Sequence, residues 1–230
     1  MMTEYDAVLL DLDGTLCEYT RGTEQLLPAA FERVGVEPMF APEAYVERVD
    51  SYADRADSML ERRRLCFADL AAEHGYDRQL GREVADAYAA ERDHSNVRFL
   101  DGAAEAVEQL AERYPLAMVT NGGPDMQDPK LETLGLERYL DSLVYAGYEV
   151  PAKPDPEPFE RALDALGVSA DRAVYVGNNY ETDVLGAASA DLSSILVGEP
   201  PASGPVEPIS TVSTPGEIPR ALEGPSSDRR

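Results

Sequence analysis

Two aspartates, Asp11 and Asp13, follow a short apolar segment near the N-terminus. Residues 7–10 are all apolar, which is typical of a strand buried on both faces of a parallel sheet, and Gly14 permits a sharp turn after the second aspartate. Ligands of open α/β sheets bind at the carboxyl ends of the strands. Because two close carboxylates repel each other unless a cation or a shared proton compensates them, the pair predicts a site for a hard metal ion. The alternative is a pair of solvated aspartates at a strand end.

Further polar residues lie near the ends of other predicted strands. Thr120 follows the apolar segment 116–119, Lys153 lies in a proline-rich turn before a helix, and Asn178 and Asp183 come after a later strand. Each residue by itself has an ordinary explanation as a turn former or a solvated side chain. The carboxyl ends of parallel strands meet at one edge of a sheet, so these residues in this order predict a single site together with the two aspartates.

The order of the predicted elements favours a sheet that would bring these residues together. Strands and helices alternate after about residue 96, which is typical of a doubly wound parallel sheet of the α/β class. The predicted strands are residues 7–10, 116–119, 143–145, 173–176 and 194–197, with a last short strand and helix between residues 209 and 222.

A helical segment interrupts this alternation. From about Thr23, predicted as the N-cap of a first helix, to about His94, apolar residues recur at helical spacing, with one long amphipathic stretch that ends at Gly75. We therefore predict a discontinuous core of residues 1–19 and 96–223, an all-helical insertion of residues 20–95 and a frayed tail of residues 224–230.

The chain is strongly acidic. Its 230 residues carry 44 acidic side chains against 20 basic ones, a net charge of -24, and Lys130 and Lys153 are its only lysines. Such a charge disfavours nucleic acid and anionic membranes as partners. We interpret it as adaptation to a very salty cytoplasm, in which screening removes the self-repulsion; an ordinary acidic protein from a GC-rich genome is the alternative.

The two cysteines, Cys17 and Cys66, belong to no metal-binding motif, which favours a reduced intracellular protein. The chain shows no recognisable export signal and no apolar run of about 20 residues, so we expect a soluble cytoplasmic protein. Its oligomeric state cannot be read from the sequence.

Four segments of the chain resemble the motifs of the haloacid dehalogenase (HAD) superfamily of hydrolases. They are DLDGTL at residues 11–16, MVTNG at 118–122, KPDP at 153–156 and GNNYETD at 177–183. The resemblance covers residues 6 to about 197 and implies a Rossmann-like core, with the helical insertion as the family's α-helical cap domain. A cap that closes over the site favours small, mobile substrates.

The resemblance implies a catalytic role for each motif. Asp11 would attack phosphorus to give an aspartyl-phosphate, and Asp13 would act first as general acid and then as general base. Thr120 and Asn121 would bind the phosphoryl group, and Lys153 would offset the negative charge of Asp11 and the phosphate.

The resemblance also implies a Mg²⁺ ion. It would be held by Asp11, the carbonyl group of Asp13 and Asn178, with Asp183 in or near the coordination shell. The sequence departs from the family at Asn178, where an aspartate is usual; an amide offers an oxygen ligand without the charge.

These residues predict a Mg²⁺-dependent phosphomonoesterase that acts on a small phosphorylated metabolite. A 2-haloacid dehalogenase is an alternative that Asp13 disfavours, because those members of the superfamily need no metal and generally lack the second aspartate. A phosphoglucomutase-like transferase would share all four motifs, and a non-catalytic binding protein on this scaffold is suggested by Asn178. Within the insertion, we expect the successive arginines at 62–64 to be mainly solvated, with recognition of a substrate anion as the alternative.

Overall fold

The computed structural model describes residues 5–56 and 58–223, which divide into two compact units. One combines the residues up to Glu18 with those from Val97 onwards, and the other is Tyr19–Asn96. We call them the sheet unit and the helical unit. The predicted frayed tail at 224–230 lies outside the described residues.

A parallel sheet forms the centre of the sheet unit. The strands of the described chain are β1 (Ala7–Leu10), β2 (Cys17–Tyr19), β3 (Val97–Phe99), β4 (Leu116–Asn121), β5 (Ser142–Ala146), β6 (Ala173–Gly177), β7 (Ser193–Val197) and β8 (Ser210–Val212). Six of them pair in the order β5-β4-β1-β6-β7-β8, every described pair being parallel. The predicted α/β class with a parallel sheet is therefore confirmed.

Both faces of this sheet are covered by apolar packing. Successive side chains of a strand point to opposite faces. In β1, Val8 and Leu10 belong to one buried cluster, whereas Ala7 and Leu9 belong to another. β1 is thus buried on both sides in the middle of the sheet, which explains why its sequence is continuously apolar rather than alternating.

Nine α-helices lie within the described residues. They are α1 (Thr23–Val34), α2 (Pro42–Val46), α3 (Met59–Glu73), α4 (Arg78–Glu91), α5 (Ala103–Ala111), α6 (Pro124–Leu134), α7 (Glu157–Leu166), α8 (Leu185–Ser189) and α9 (Ile218–Glu223). The first four belong to the helical unit and the others to the sheet unit. None of these helices combines the length and apolar character needed to span a bilayer.

The helical unit differs from the sequence prediction in two details. Thr23 is the first residue of α1 rather than its N-cap, which is Gly22, and its hydroxyl group lies 3.0 Å from the Tyr88 hydroxyl. The predicted long amphipathic stretch is divided into α2, a 3-10 turn at Val49–Arg55 and α3. The division follows from Ser58, whose side chain accepts a hydrogen bond from the Glu61 N–H and so begins a new helix.

Two short strands were not predicted. β2 and β3 pair with each other and flank the helical unit in sequence. Each is only three residues long, which is too short for an alternating pattern to be recognised.

Candidate active site

The ends of three adjacent strands supply the polar residues of the site. Asp11 follows β1 directly, Thr120 lies in the last part of β4, and Asn178 follows β6. β4 and β6 pair with β1 on either side, with Leu10 opposite Met118 and Val176. The parallel register therefore places these three residues at the same edge of the sheet, as the sequence predicted.

A buried ion-pair network surrounds Asp11. The Lys153 ammonium donates to Asp11 Oδ1 at 2.8 Å, to Asp183 Oδ1 at 2.8 Å and to the Tyr175 hydroxyl at 2.6 Å. Lys153 is only 4% exposed and Asp11 6%. The three donors of the ammonium thus have three acceptors, which is the condition for burying a lysine without a large penalty.

Asp183 is held from three sides. In addition to Lys153, its Oδ1 accepts from the Tyr175 hydroxyl at 3.1 Å, and its Oδ2 accepts from the Asn179 N–H at 2.9 Å. A Cβ at Gly177 would lie 2.4 Å from the Asp183 carboxyl carbon, so only glycine fits there. Both carboxylate oxygens are engaged by these donors, and the participation of Asp183 in metal binding stays a prediction.

Burial and the Lys153 ammonium act in opposite directions on the pKa of Asp11. Burial, the largest effect, raises the pKa of the Asp11 carboxyl to about 6; the Lys153 ammonium lowers it, and the Asp183 carboxylate raises it. The two carboxylates in turn raise the pKa of Lys153 against the opposing effect of its burial. Lys153 is therefore a permanent cation at neutral pH, and it compensates two carboxylates at once.

One hydroxyl group joins Asp11 to Asn178. Thr15 Oγ1 lies 3.0 Å from Asp11 Oδ2 and 3.1 Å from Asn178 Oδ1. Gly14, with a φ of +78°, passes directly beneath the Asn178 amide, where a Cβ would lie 2.4 Å from Nδ2. The described residues hold no cluster of three or more His, Cys, Asp or Glu side chains arranged for a metal ion, so a cation here would depend on an amide oxygen as well as on carboxylates.

Asp13 has a cation of its own. The Lys130 ammonium lies 2.7 Å from both Asp13 carboxylate oxygens, and the Gln127 side-chain amide donates to Asp13 Oδ2 at 3.1 Å. Gln127 and Lys130 lie three residues apart on α6, so they share one face of that helix. Asp11 and Asp13, the two aspartates of the first motif, are therefore each paired with a lysine.

The second motif contacts its neighbours through two side chains. Thr120 is buried, and its Oγ1 accepts from Gln127 Nε2 at 2.9 Å, which leaves its own hydrogen available for donation. Asn121 exchanges two hydrogen bonds with the backbone of Lys153, at 2.9 and 3.2 Å. Asn121 thus holds the Lys153 loop, and its predicted contact with phosphate stays a prediction.

Several residues of this network were not singled out from the sequence: Thr15, Gln127, Lys130 and Tyr175. Lys130 carried one signal, because it is one of two lysines in a chain that otherwise uses arginine. Tyr175 lies inside an apolar strand, where its ring was indistinguishable from core.

A recess of about 630 Å³ lies beside these residues in the sheet unit. Gly14 and Asn178 form one part of its wall, and Glu18, Arg98 and Glu199 are among its other lining residues. Asp11, Thr120 and Lys153 do not line it. It therefore borders the ion-pair network rather than containing it.

The expectation that the arginines at 62–64 are mainly solvated was wrong for Arg63. Arg63 is 7% exposed, donates to the Tyr45 hydroxyl at 3.1 Å and stacks over the Tyr88 ring, 4.8 Å from its centroid. Arg64 is paired with Asp86. Aromatic stacking allowed Arg63 to be buried, which three successive charges in a sequence do not suggest.

The chain is similar in sequence to several phosphatases. It is 33% identical over 183 residues to validoxylamine A 7'-phosphate phosphatase of Streptomyces hygroscopicus subsp. limoneus, a match that covers 74% of this chain and 75% of that protein. It is 34% identical over 131 residues to phosphoserine phosphatase of Thermus thermophilus, covering 57% of this chain and 52% of that protein. The chain thus spans about half the length of the second relative.

Solved structures share the fold. The magnesium-bound HAD-hydrolase YfnB of Bacillus subtilis superposes with a TM-score of 0.78 at 21% identity, covering 95% of this chain and 99% of that one. A 2-haloacid dehalogenase of Pseudomonas syringae gives a TM-score of 0.66 at 24% identity, covering 95% of this chain and 98% of that one. The profile of the haloacid dehalogenase-like hydrolases matches residues 5–191. This hydrolase therefore belongs to the haloacid dehalogenase-like family.

Proposed function

We propose that this hydrolase is a Mg²⁺-dependent phosphomonoesterase that acts on a small phosphorylated metabolite through an aspartyl-phosphate intermediate. The observation that carries the proposal is the pair of aspartates at the end of β1, each held by its own lysine: Asp11 by Lys153 and Asp13 by Lys130. Two carboxylates in different surroundings suit two different tasks, one as nucleophile and one as acid and base.

The proposed reaction has two steps. In the first, a carboxylate oxygen of Asp11 bonds to phosphorus, the bond from phosphorus to the leaving oxygen breaks, and Asp13 gives that oxygen a proton. In the second, a water oxygen bonds to phosphorus, Asp13 takes a proton from the water, and Asp11 leaves as a carboxylate. Inorganic phosphate and an alcohol are the products.

Lys153 and Thr120 serve the phosphoryl group in this scheme. The hydroxyl group of Thr120 can donate to a phosphoryl oxygen, because in its hydrogen bond with Gln127 it is the acceptor and does not use its hydrogen. The Lys153 ammonium offsets the negative charge that collects around Asp11. Tyr175 and Asp183 hold this ammonium in place, and they act through it rather than on the substrate.

The donor set fits Mg²⁺. Asp11 Oδ2 and Asn178 Oδ1 are hard oxygen ligands that share the Thr15 hydroxyl group, and Mg²⁺ is usually bound by one or two carboxylates together with substrate phosphate and water. We propose that these two residues and the carbonyl group of Asp13 hold the ion, with Asp183 close to them. When bound, Mg²⁺ would neutralise the carboxylate and the phosphoryl oxygens so that one anion can attack another.

Relatives favour a phosphate ester over a haloacid as substrate. The names of the relatives above describe phosphatases of small molecules, phosphoserine and validoxylamine A 7'-phosphate. The leaving groups also differ, because an alkoxide must be protonated whereas a halide departs as an anion. Asp13, which Lys130 and Gln127 hold in place, can give the leaving oxygen a proton when its carboxyl group is protonated, and only the phosphate ester requires such a donor.

The decisive test is hydrolysis of p-nitrophenyl phosphate and of a panel of phosphorylated metabolites, with Mg²⁺ and with EDTA. Asp11→Asn should lower turnover by several orders of magnitude and abolish the acyl-phosphate that borohydride traps during a single turnover. Asp141→Asn is the matched control, because the remaining carbonyl oxygen can still accept from the Leu116 N–H and the site is untouched. Full activity of Asp11→Asn, or phosphate release in EDTA equal to that in Mg²⁺, would refute the proposal.

A further inference from the structure

We infer that Lys130 and Gln127 form a clamp on α6 that orients Asp13 for proton transfer. This inference rests on the proposed function, since it assigns positioning residues to the acid and base of that reaction. The first observation is the burial of Lys130, which is 1% exposed. Removing an ammonium from water costs several kcal/mol unless its partners compensate it, so the position of Lys130 beneath Asp13 needs a reason.

The geometry of the contact fixes the carboxylate. Lys130 reaches Asp13 Oδ1 and Oδ2 at 2.7 Å each, and Gln127 reaches Oδ2 at 3.1 Å. Three hydrogen bonds to one carboxylate, from two side chains, restrict both of its side-chain torsions. The Asp13 side chain is nevertheless 39% exposed, so one side of it stays open. A held carboxylate with an open side is the arrangement that a positioned proton carrier needs.

The clamp also ties Asp13 to the second motif. Gln127 Nε2 lies 2.9 Å from Thr120 Oγ1 and 3.2 Å from the Asn121 carbonyl oxygen, in addition to its contact with Asp13. One amide group therefore sets the distance between the group that would transfer the proton and the group that would bind phosphate. α6 can deliver it because Pro124, at its first turn, starts the helix immediately after β4.

A positioning role makes a prediction that a structural role does not. If Lys130 acts through Asp13, its removal should matter most when the leaving oxygen most needs a proton. Along a series of aryl phosphates from p-nitrophenyl to phenyl phosphate, Lys130→Met should lose about 10–100-fold in kcat on phenyl phosphate and much less on p-nitrophenyl phosphate. Asp13→Asn should show the same dependence more strongly.

The double variant completes the test. In Asp13→Asn the clamp has no carboxylate to orient, so adding Lys130→Met should cost almost nothing further. Arg138→Met is the matched control, because it removes the same charge from an exposed position just beyond α6, and it should leave the series unchanged. Gln127→Leu gives a second variant in case Lys130→Met fails to fold, and it should reproduce the leaving-group dependence.

The inference would be overturned if Lys130→Met lost the same factor in kcat on every aryl phosphate, or if the losses of Lys130→Met and Asp13→Asn multiplied in the double variant. Neither outcome would contradict the proposed phosphatase activity. A wild-type protein inactive on the entire series would instead overturn the proposed function, and the inference with it.

Discussion

Replacement of Lys153 by methionine tests the buried network most directly. Methionine fills nearly the same volume but has no charge and no donors. Lys153 donates to both Asp11 and Asp183 at 2.8 Å, and all three side chains are buried. The substitution therefore leaves two buried carboxylates that repel each other with no cation between them.

The expected loss is large. Breaking a buried ion pair by removing one partner costs about 3–5 kcal/mol, because the remaining charge is buried without compensation. In a chain of this size about 1 kcal/mol corresponds to 2–4 °C in melting temperature, so we expect a fall of roughly 6–20 °C at pH 8 in EDTA.

The loss should shrink on acidification. In the wild type the pKa of Asp11 is raised to about 6 from its ordinary 3.8, so the folded state binds this proton more tightly than the unfolded state. In Lys153→Met the ammonium that lowers this pKa is gone, so the difference between the folded and unfolded pKa of Asp11 grows. The resulting destabilisation of the variant is complete above its folded Asp11 pKa and disappears as the pH falls towards about 4, the unfolded pKa. Melting curves of both proteins from pH 8 to pH 4.5 would measure it.

Two companion variants separate the network from a general loss of charge. Lys130→Met should cost less, because its partner Asp13 is partly exposed and can be rehydrated. Adding Asp183→Asn to Lys153→Met should recover part of the stability by removing one of the two stranded charges. A Lys153→Met protein as stable as the wild type at pH 8, or one whose loss does not depend on pH, would refute the reasoning.

Three further predictions concern the metal, the thiols and the surface. Asn178→Asp should lower the half-saturating Mg²⁺ concentration about ten- to a hundredfold, a net gain of about 1–3 kcal/mol after desolvation and repulsion from Asp11. The control Asn179→Asp adds the same charge one residue further along and should leave this concentration unchanged. Equal shifts in both variants would refute a direct contact between residue 178 and the metal ion. Burial raises the pKa of Cys17 to about 12 and of Cys66 to about 11, so a thiol reagent at pH 8 should label neither until the protein is denatured, and rapid labelling of the native protein would contradict their burial. With a net charge of -24, the melting temperature should rise in 1 M KCl, where the Debye length is about 3 Å; the same melting temperature in dilute buffer would end the salt-adaptation hypothesis.

The sequence alone was sufficient to predict that the polar residues at the strand ends lie at one edge of the sheet. Asp11, Thr120 and Asn178 follow apolar segments, and the geometry of a parallel sheet alone brings such positions together. Their types also predicted a metal-dependent phosphoryl-transfer site, and that chemistry stays a prediction. The strand pattern predicted which residues meet at one edge of the sheet, and that placement follows from the parallel strands rather than from the details of side-chain packing.

The residues that hold the site depend on those details. Lys130 and Gln127 lie on one face of a helix, and in the sequence they are indistinguishable from a solvated polar face; only the packing of α6 against the loop after β1 turns them towards Asp13. Tyr175 lay within a buried strand, and Arg63 was buried by stacking on Tyr88. In each case the neighbour that decides the role is distant in sequence.

The strand order has a consequence for how the chain folds as it is synthesised. β1 leaves the ribosome before the other described strands, and its partners β4 and β6 come from far along the chain, after the entire helical unit. At about 5–20 residues per second, translation needs roughly 5–20 s to produce β4 after β1, and longer for β6. During that interval the helical unit can complete its own core, since its contacts are local. Meanwhile β1, whose four residues are all apolar and buried in the folded sheet, has no strand to pair with, so it is a segment that a nascent-chain chaperone could bind.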